Sequence, residues 1–133
     1  MSSSEVARSP EAIRRTHVVV ELIESLLTPA LVNHPRVANL PEMVMRHGIL
    51  QTAAFLRSKS RDSKNRPTMD GGLLDLLEAC VKATTGSSIA SRTLATLGLE
   101  KYMRVNEAAI EAAAWIALLA KARDGAPAPP EAT

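Results

Sequence analysis

The chain has 133 residues and a formal net charge of +2, with 46% hydrophobic and 23% charged residues, a balance typical of one soluble globular domain. Only Phe55, Tyr102 and Trp115 are aromatic, too few for a surface that reads single-stranded nucleic acid by stacking bases. The 21 Ala and 16 Leu outnumber the 9 Val and 6 Ile, and this bias favours helices over strands. We therefore predict an all-α fold, a compact bundle of about five to six helices.

A start signal and an apolar stripe predict the first helix. Ser9 suits the N-cap, Pro10 the first helical position and Glu11 the first turn. Apolar residues then recur at three- and four-residue spacing up to Leu27. Thr28-Pro29 should end the helix, with PALVNHP as a linker. The run HVVVEL could form a strand in isolation, but the longer helical period around it favours the helix.

The next apolar segment is divided by Gly48, a residue suited to the left-handed conformation at a helix end. We expect a second helix that starts near Val37 or Pro41 and ends at Gly48, and a third from about Ile49 to Lys59. The segment SRDSKNRPTMDG, residues 60–71, is polar and contains Pro and Gly, so it should be an exposed loop.

The second half of the chain predicts three more helices. The fourth covers about residues 72–84, and Ser87 or Ser88 could cap a fifth that ends at Gly98. The last, about residues 99–122, has no polar residue between Ala112 and Ala120. Such a helix is buried on more than one side, either at the centre of this domain or with its Ala-rich face against another subunit.

The two termini are expected to lie outside the helical domain, which we place at residues 9–124. Residues 1–8 are polar and should be flexible, and the Pro-rich tail 125–133 should be disordered. The N-terminal segment has no apolar signal-peptide region, and the longest apolar stretch is shorter than the ~20 residues of a membrane span. We expect a cytoplasmic protein with no membrane contact.

No motif for catalysis, a cofactor or a metal is present. The glycines form no phosphate-binding fingerprint, and His17, His34 and His47 lie at no metal-ligand spacing with each other. No nucleophile sits in a sharp Gly-flanked turn. Cys80, alone in the apolar run LLEACV, is expected to be a buried, inert thiol. We predict no catalytic residues, no cofactor and no metal site, and therefore no enzyme.

Positive charge is concentrated in one segment. Residues 36–66 contain seven basic and two acidic residues, whereas residues 67–133 contain six basic and eight acidic ones. Within RSKSRDSKNR, residues 57–66, five cations accompany one acid. Phosphate contacts need such a density of Lys and Arg, although a solvated helix end followed by a mobile loop would have the same composition.

Two segments resemble a known family. LPEMVMRHGILQTAAFLRSK, residues 40–59, is similar to the characteristic stretch of the small helical subunit of the type III-B CRISPR–Cas RNA-targeting (Cmr) complex, through Leu40-Pro41, Gly48-Ile49 and the run Ala54 to Lys59. YMRVNEAAIEAAAWIALLAKA, residues 102–122, resembles the last helix of that family. The family often has Lys two residues after the Trp, where this chain has Ala117, and Lys121 or Arg123 would have to substitute for it.

The resemblance implies a non-enzymatic subunit that stacks head-to-tail into a minor filament and contacts guide and target RNA in antiviral defence. Its partners would be the RNA backbone, other effector subunits and further copies of itself. The residues expected to contact nucleic acid are Arg46, Arg57, Lys59, Arg61, Lys64, Arg66 and Arg104. The residues expected at subunit contacts or in the core are Phe55, Trp115, Ile116 and Leu119.

Three other interpretations remain open at this point. The chain could be the corresponding small subunit of the type III-A complex, or a helical adaptor that binds only protein and whose basic loop is solubilising. A helix-turn-helix DNA-binding protein is disfavoured, because ILQTAAFLRSK places apolar residues where a recognition helix needs base contacts.

Overall fold

The computed structural model describes residues 10–124, which form α-helices and no strand. The helices are α1 (Pro10–Leu26), α2 (Pro29–Val32), α3 (Pro35–Ser58), α4 (Met69–Thr85), α5 (Ser91–Thr96) and α6 (Leu99–Asp124). The predicted all-α fold is confirmed. Ser9, the predicted flexible segment 1–8 and the predicted disordered tail 125–133 lie outside the described residues.

Helix α6 lies at the centre of the bundle. It packs most extensively against α3 and also contacts α1, α2 and α4. Its inward face consists of the buried residues Val105, Ala109, Ala112, Ala113, Ile116 and Ala120. Because most of these side chains are small, the neighbouring helices can approach closely. Leu99 and Leu118, by contrast, are 76% and 57% exposed, so α6 is a core helix that also carries exposed apolar residues.

A kink at Gly48 divides α3 into two helical segments, as the sequence predicted. Gly48 has φ +81° and ψ 161°, a conformation essentially restricted to glycine. The first turn after the kink is capped from α6: the Ile49 amide donates to Asn106 Oδ1 over 2.8 Å, and the Leu50 amide donates to the Tyr102 hydroxyl over 3.3 Å. Two side chains distant in sequence thus satisfy N–H groups that a broken helix leaves unpaired.

Several predicted boundaries were wrong, and side-chain hydrogen bonds explain two of them. The predicted linker contains α2, because the Thr28 hydroxyl accepts from the Leu31 amide and Pro29 is at the helix start. Likewise, α4 begins at Met69, three residues earlier than predicted, with Thr68 as its N-cap. Helix α3 begins at Pro35 rather than at Val37 or Pro41.

The predicted capping of α5 by Ser87 or Ser88 was also wrong. The helix begins at Ser91 after Ala90, without a side-chain cap. The Ser88 hydroxyl instead donates to Glu78 Oε2 over 2.5 Å, and the Ile89 amide donates to the same oxygen over 3.3 Å. The loop before α5 is therefore held against α4.

Candidate nucleic-acid interface

The cation-rich segment folds into an ordered turn, which we call the basic hairpin and define as residues 59–68. Arg61 and Pro67 form an isolated antiparallel bridge. On either side of it, the Asp62 amide donates to the Arg66 carbonyl over 2.9 Å and the Thr68 amide donates to the Ser60 carbonyl over 3.0 Å. The segment is exposed, as predicted, but its backbone is hydrogen-bonded.

Asp62 organises the tip of the basic hairpin. Its Oδ1 accepts from the backbone N–H groups of Lys64 (2.8 Å) and Arg66 (2.9 Å), an Asx-turn arrangement. Asn65 adopts φ +61°, the left-handed residue that closes a three-residue hairpin loop and that Asn tolerates well. The pKa of Asp62 lies below its ordinary value, chiefly because the Arg66 amide donates to the carboxylate.

The basic hairpin is attached to the start of α4. The Thr68 hydroxyl donates to the Lys59 carbonyl over 2.5 Å and accepts from the Gly71 amide over 3.3 Å. A Cβ atom at Gly71 would lie 3.1 Å from Ser60, so glycine permits this close approach. The hairpin therefore has a defined position at the N-terminal end of α4.

The cations of the basic hairpin are largely free of acidic partners. Within residues 10–124, Lys59 and Lys64 are exposed and form no ion pair. Arg61 donates to the Asn65 carbonyl over 3.3 Å. Arg66 pairs with Asp62 at 3.1 Å, and its side chain is 66% exposed, so this pair contributes little and leaves the guanidinium accessible.

Arg57 lies beside the hairpin and is fixed by uncharged groups. Its guanidinium donates to the Ser91 hydroxyl over 3.1 Å and to the Ile89 carbonyl over 3.5 Å. Because neither partner carries a charge, they do not neutralise the positive charge of Arg57. Its position is set by the first residue of α5 and by the loop before it. Five predicted cations, Arg57 included, thus occupy one end of the bundle.

The structure does not bring Arg46 and Arg104 to that end. Arg46 lies before the kink and pairs with Glu42 at 2.6 Å. Arg104 lines a cleft with Thr84 and Thr85, at the C-terminal end of α4. The basic hairpin precedes the other end of α4, whose 17 residues span about 25 Å.

The four residues predicted at subunit contacts or in the core all belong to or flank the core. Ile116 is fully buried, and Phe55, Trp115 and Leu119 are partly buried against the core. Phe55 also supports Arg36, whose guanidinium carbon lies 4.8 Å from the centre of its ring.

The same Arg36 links two helix starts. Its Nε donates to Asp70 Oδ1 over 2.7 Å, and His34 Nε2 lies 2.8 Å from the same oxygen. This cluster joins the beginning of α3 to the beginning of α4, which carries the basic hairpin at its N-terminus. No sequence spacing indicated this cluster, because Asp70 lies more than thirty residues from His34 and Arg36.

Comparison with known proteins identifies the chain. The family model described as CRISPR-associated protein (Cas_Cmr5) matches residues 34–123. The chain belongs to this family. The resemblance to the type III-B small subunit is thereby confirmed, and both resembling segments lie within the matched range. No curated protein and no solved structure matches the chain.

The Cmr5 motifs have structural roles in this chain. Gly48-Ile49 forms the kink of α3, and the Tyr102 hydroxyl accepts from the Leu50 amide after the kink. Arg123 is engaged with the Leu27 carbonyl and with Glu24 Oε2, which ties α6 to α1. Of the two residues that could substitute for the Lys that the family often has at the position of Ala117, Arg123 is held by these contacts and Lys121 is exposed.

Within residues 10–124, none of the helices is both long enough and apolar enough to cross a bilayer. No cluster of three or more His, Cys, Asp or Glu side chains there could hold a metal ion.

Proposed function

We propose that this Cmr5-family chain is a non-catalytic small subunit of a type III-B RNA-guided effector in antiviral defence, and that its basic hairpin contacts the phosphate backbone of guide and target RNA. The observation that carries the proposal is the ordered hairpin, in which Lys59 and Lys64 are exposed without an acidic partner within the described residues. In an RNA-guided complex, base pairing reads the sequence, so the protein needs only to hold the backbone. The scarcity of aromatic residues agrees with that role.

The order of the hairpin supports affinity as well as charge. A loop that is already fixed by Asp62 loses little conformational freedom when it binds. Each Lys or Arg that neutralises a phosphate also releases counterions, so affinity falls as the salt concentration rises. The salt slope, by which we mean the magnitude of the slope of log affinity against log salt concentration, increases by about 0.7 for each contact to single-stranded nucleic acid.

We also propose contacts with other effector subunits and between stacked copies of this chain, in the cytoplasm. The exposed apolar side chains Met45, Leu99, Met103 and Leu118 support protein contacts, because they lie at the surface of α3 and of the central helix α6. Isolated exposed hydrophobic residues are common, so this part of the proposal rests mainly on family membership.

The test of RNA binding compares two double variants that each lose two cations. Lys59→Ala/Lys64→Ala removes both unpaired hairpin charges, and Arg14→Ala/Lys82→Ala removes two exposed cations elsewhere. In filter-binding titrations with single-stranded RNA at several salt concentrations, the hairpin variant should lower the salt slope by about 1.4. The control variant should keep the wild-type slope.

An equal slope for all three proteins would contradict the assignment of RNA contacts to the hairpin. A protein-binding adaptor with no role in RNA binding would then be the better interpretation of the basic segment.

A further inference from the structure

A second polar surface lies at the opposite end of α4 from the basic hairpin. It is an open cleft of about 470 Å³ between the end of α4, α5 and the start of α6. Its polar lining residues are Thr84, Thr85, Ser87, Ser88, Thr93, Lys101 and Arg104. Hydroxyl groups and cations thus face one space, with Leu97 and Val105 as apolar wall.

Helix α5 connects this cleft to the basic hairpin. At its first residue, Ser91 accepts from Arg57, the cation beside the hairpin. Two residues on, Thr93 lines the cleft. Arg92 lies between them, is exposed and forms no ion pair within the part of the chain that the structure describes. Helix α5 therefore carries Arg92 between its contact with Arg57 and the residue that lines the cleft with Lys101 and Arg104.

The chemistry of the cleft suits a ribose–phosphate chain better than a bare anion. Lys101 and Arg104 can donate to phosphate oxygens, and the Arg104–Glu100 pair, at 3.7 Å and exposed on both sides, competes only weakly. The end of α4 adds negative potential from its last carbonyl groups, which opposes a bare anion. A ribose 2′-hydroxyl is both donor and acceptor, so it can use such carbonyls and the hydroxyls together.

Most of the hydroxyls are held in fixed orientations by hydrogen bonds within the chain. The Thr85 hydroxyl donates to the Val81 carbonyl over 2.8 Å and accepts from the Ser87 amide over 3.1 Å, and the Ser88 hydroxyl donates to Glu78. These bonds leave oxygen lone pairs as acceptors at defined positions. Thr93 lies closest in sequence to Arg92 and is the natural choice for a substitution that removes one hydroxyl at constant size.

We propose that this cleft binds the ribose–phosphate backbone of a single-stranded RNA segment that continues from the basic hairpin over Arg92. The inference rests on the proposed RNA-binding function and deepens it. The hairpin supplies phosphate contacts at one end of α4, and the cleft supplies phosphate and 2′-hydroxyl contacts at the other end.

The test uses the full chain, a fluorescent uridine RNA and the deoxyuridine strand of the same length. The triple variant Arg92→Ala/Lys101→Ala/Arg104→Ala should lower the salt slope for RNA by about 2, and Lys82→Ala should leave it unchanged. Thr93→Val should lower the ratio of RNA affinity to DNA affinity several-fold while the salt slope stays constant. Circular dichroism confirms that each variant is folded.

Two results separate the inference from the proposed function. If Lys59→Ala/Lys64→Ala lowers the slope but the triple variant binds as wild type does, the hairpin function stands and the cleft proposal is overturned. If neither variant changes the slope, both fail. Equal affinity of the wild type for RNA and DNA, with no effect of Thr93→Val, would also overturn the assignment of 2′-hydroxyl contacts to the cleft.

Discussion

Replacing Asn106 by Ala tests how the kink of α3 is stabilised. The side chain accepts from the Ile49 amide over 2.8 Å, and Ile49 is fully buried, so Asn106→Ala leaves an N–H group of the core without its protein acceptor. A buried N–H without an acceptor costs about 1–3 kcal/mol, and the loss of an N-cap costs about 1 kcal/mol. Since these describe the same hydrogen bond, we expect Asn106→Ala to lower the free energy of unfolding by about 2 kcal/mol.

Urea denaturation followed by circular dichroism measures this change. With a slope of about 1.5 kcal/mol per molar urea, a loss of about 2 kcal/mol lowers the midpoint by about 1.3 M. Asn39→Ala, at an exposed position of the same helix α3, is the matched control and should stay within about 0.5 kcal/mol of wild type. Asn106→Asp keeps an acceptor oxygen and should recover most of the stability. If Asn106→Ala unfolds at the same midpoint as Asn39→Ala, the capping argument is wrong.

Two further predictions concern the core. Gly48→Ala should lower the free energy of unfolding by about 1–3 kcal/mol, because it forces φ +81° on a residue with a side chain and places Cβ 3.0 Å from the Tyr102 hydroxyl. The double variant with Tyr102→Phe should lose less stability than the sum of the two single variants. Strictly additive losses in urea titrations would refute the contact between position 48 and Tyr102. Cys80 is fully buried, and burial raises its pKa to about 11. At pH 8 a thiol reagent should therefore label Cys80 only as fast as the protein unfolds, and rapid labelling of the native protein would contradict its burial.

Much of the fold could be predicted because local signals agree with the tertiary structure. The Gly48 break, the polar segment before α4 and the apolar last helix are all visible in a single stretch of sequence. The short helix α2 was missed because it is only one turn long, and its formation depends on Thr28 and Pro29, which are equally consistent with a linker. The start of α5 was missed because Ser88 bonds to Glu78 on another helix rather than capping its own.

The candidate site was predicted in composition but not in geometry. The density of Lys and Arg in residues 57–66 identified the segment. The role of Asp62, which orders the hairpin rather than neutralising it, depends on backbone hydrogen bonds that no charge count indicates. Arg92 was overlooked because its neighbour Ser91 contacts Arg57 only when α5 packs beside the end of α3.

The position of RNA on the surface is the central claim, and lysine footprinting measures it without any substitution. The chain has five lysines: Lys59, Lys64, Lys82, Lys101 and Lys121. After acetylation of the protein with and without saturating RNA, mass spectrometry should find Lys59 and Lys64 protected and Lys82 modified equally in both samples. Bound RNA that leaves the modification of Lys59 and Lys64 unchanged would contradict the proposal that the basic hairpin holds the RNA backbone.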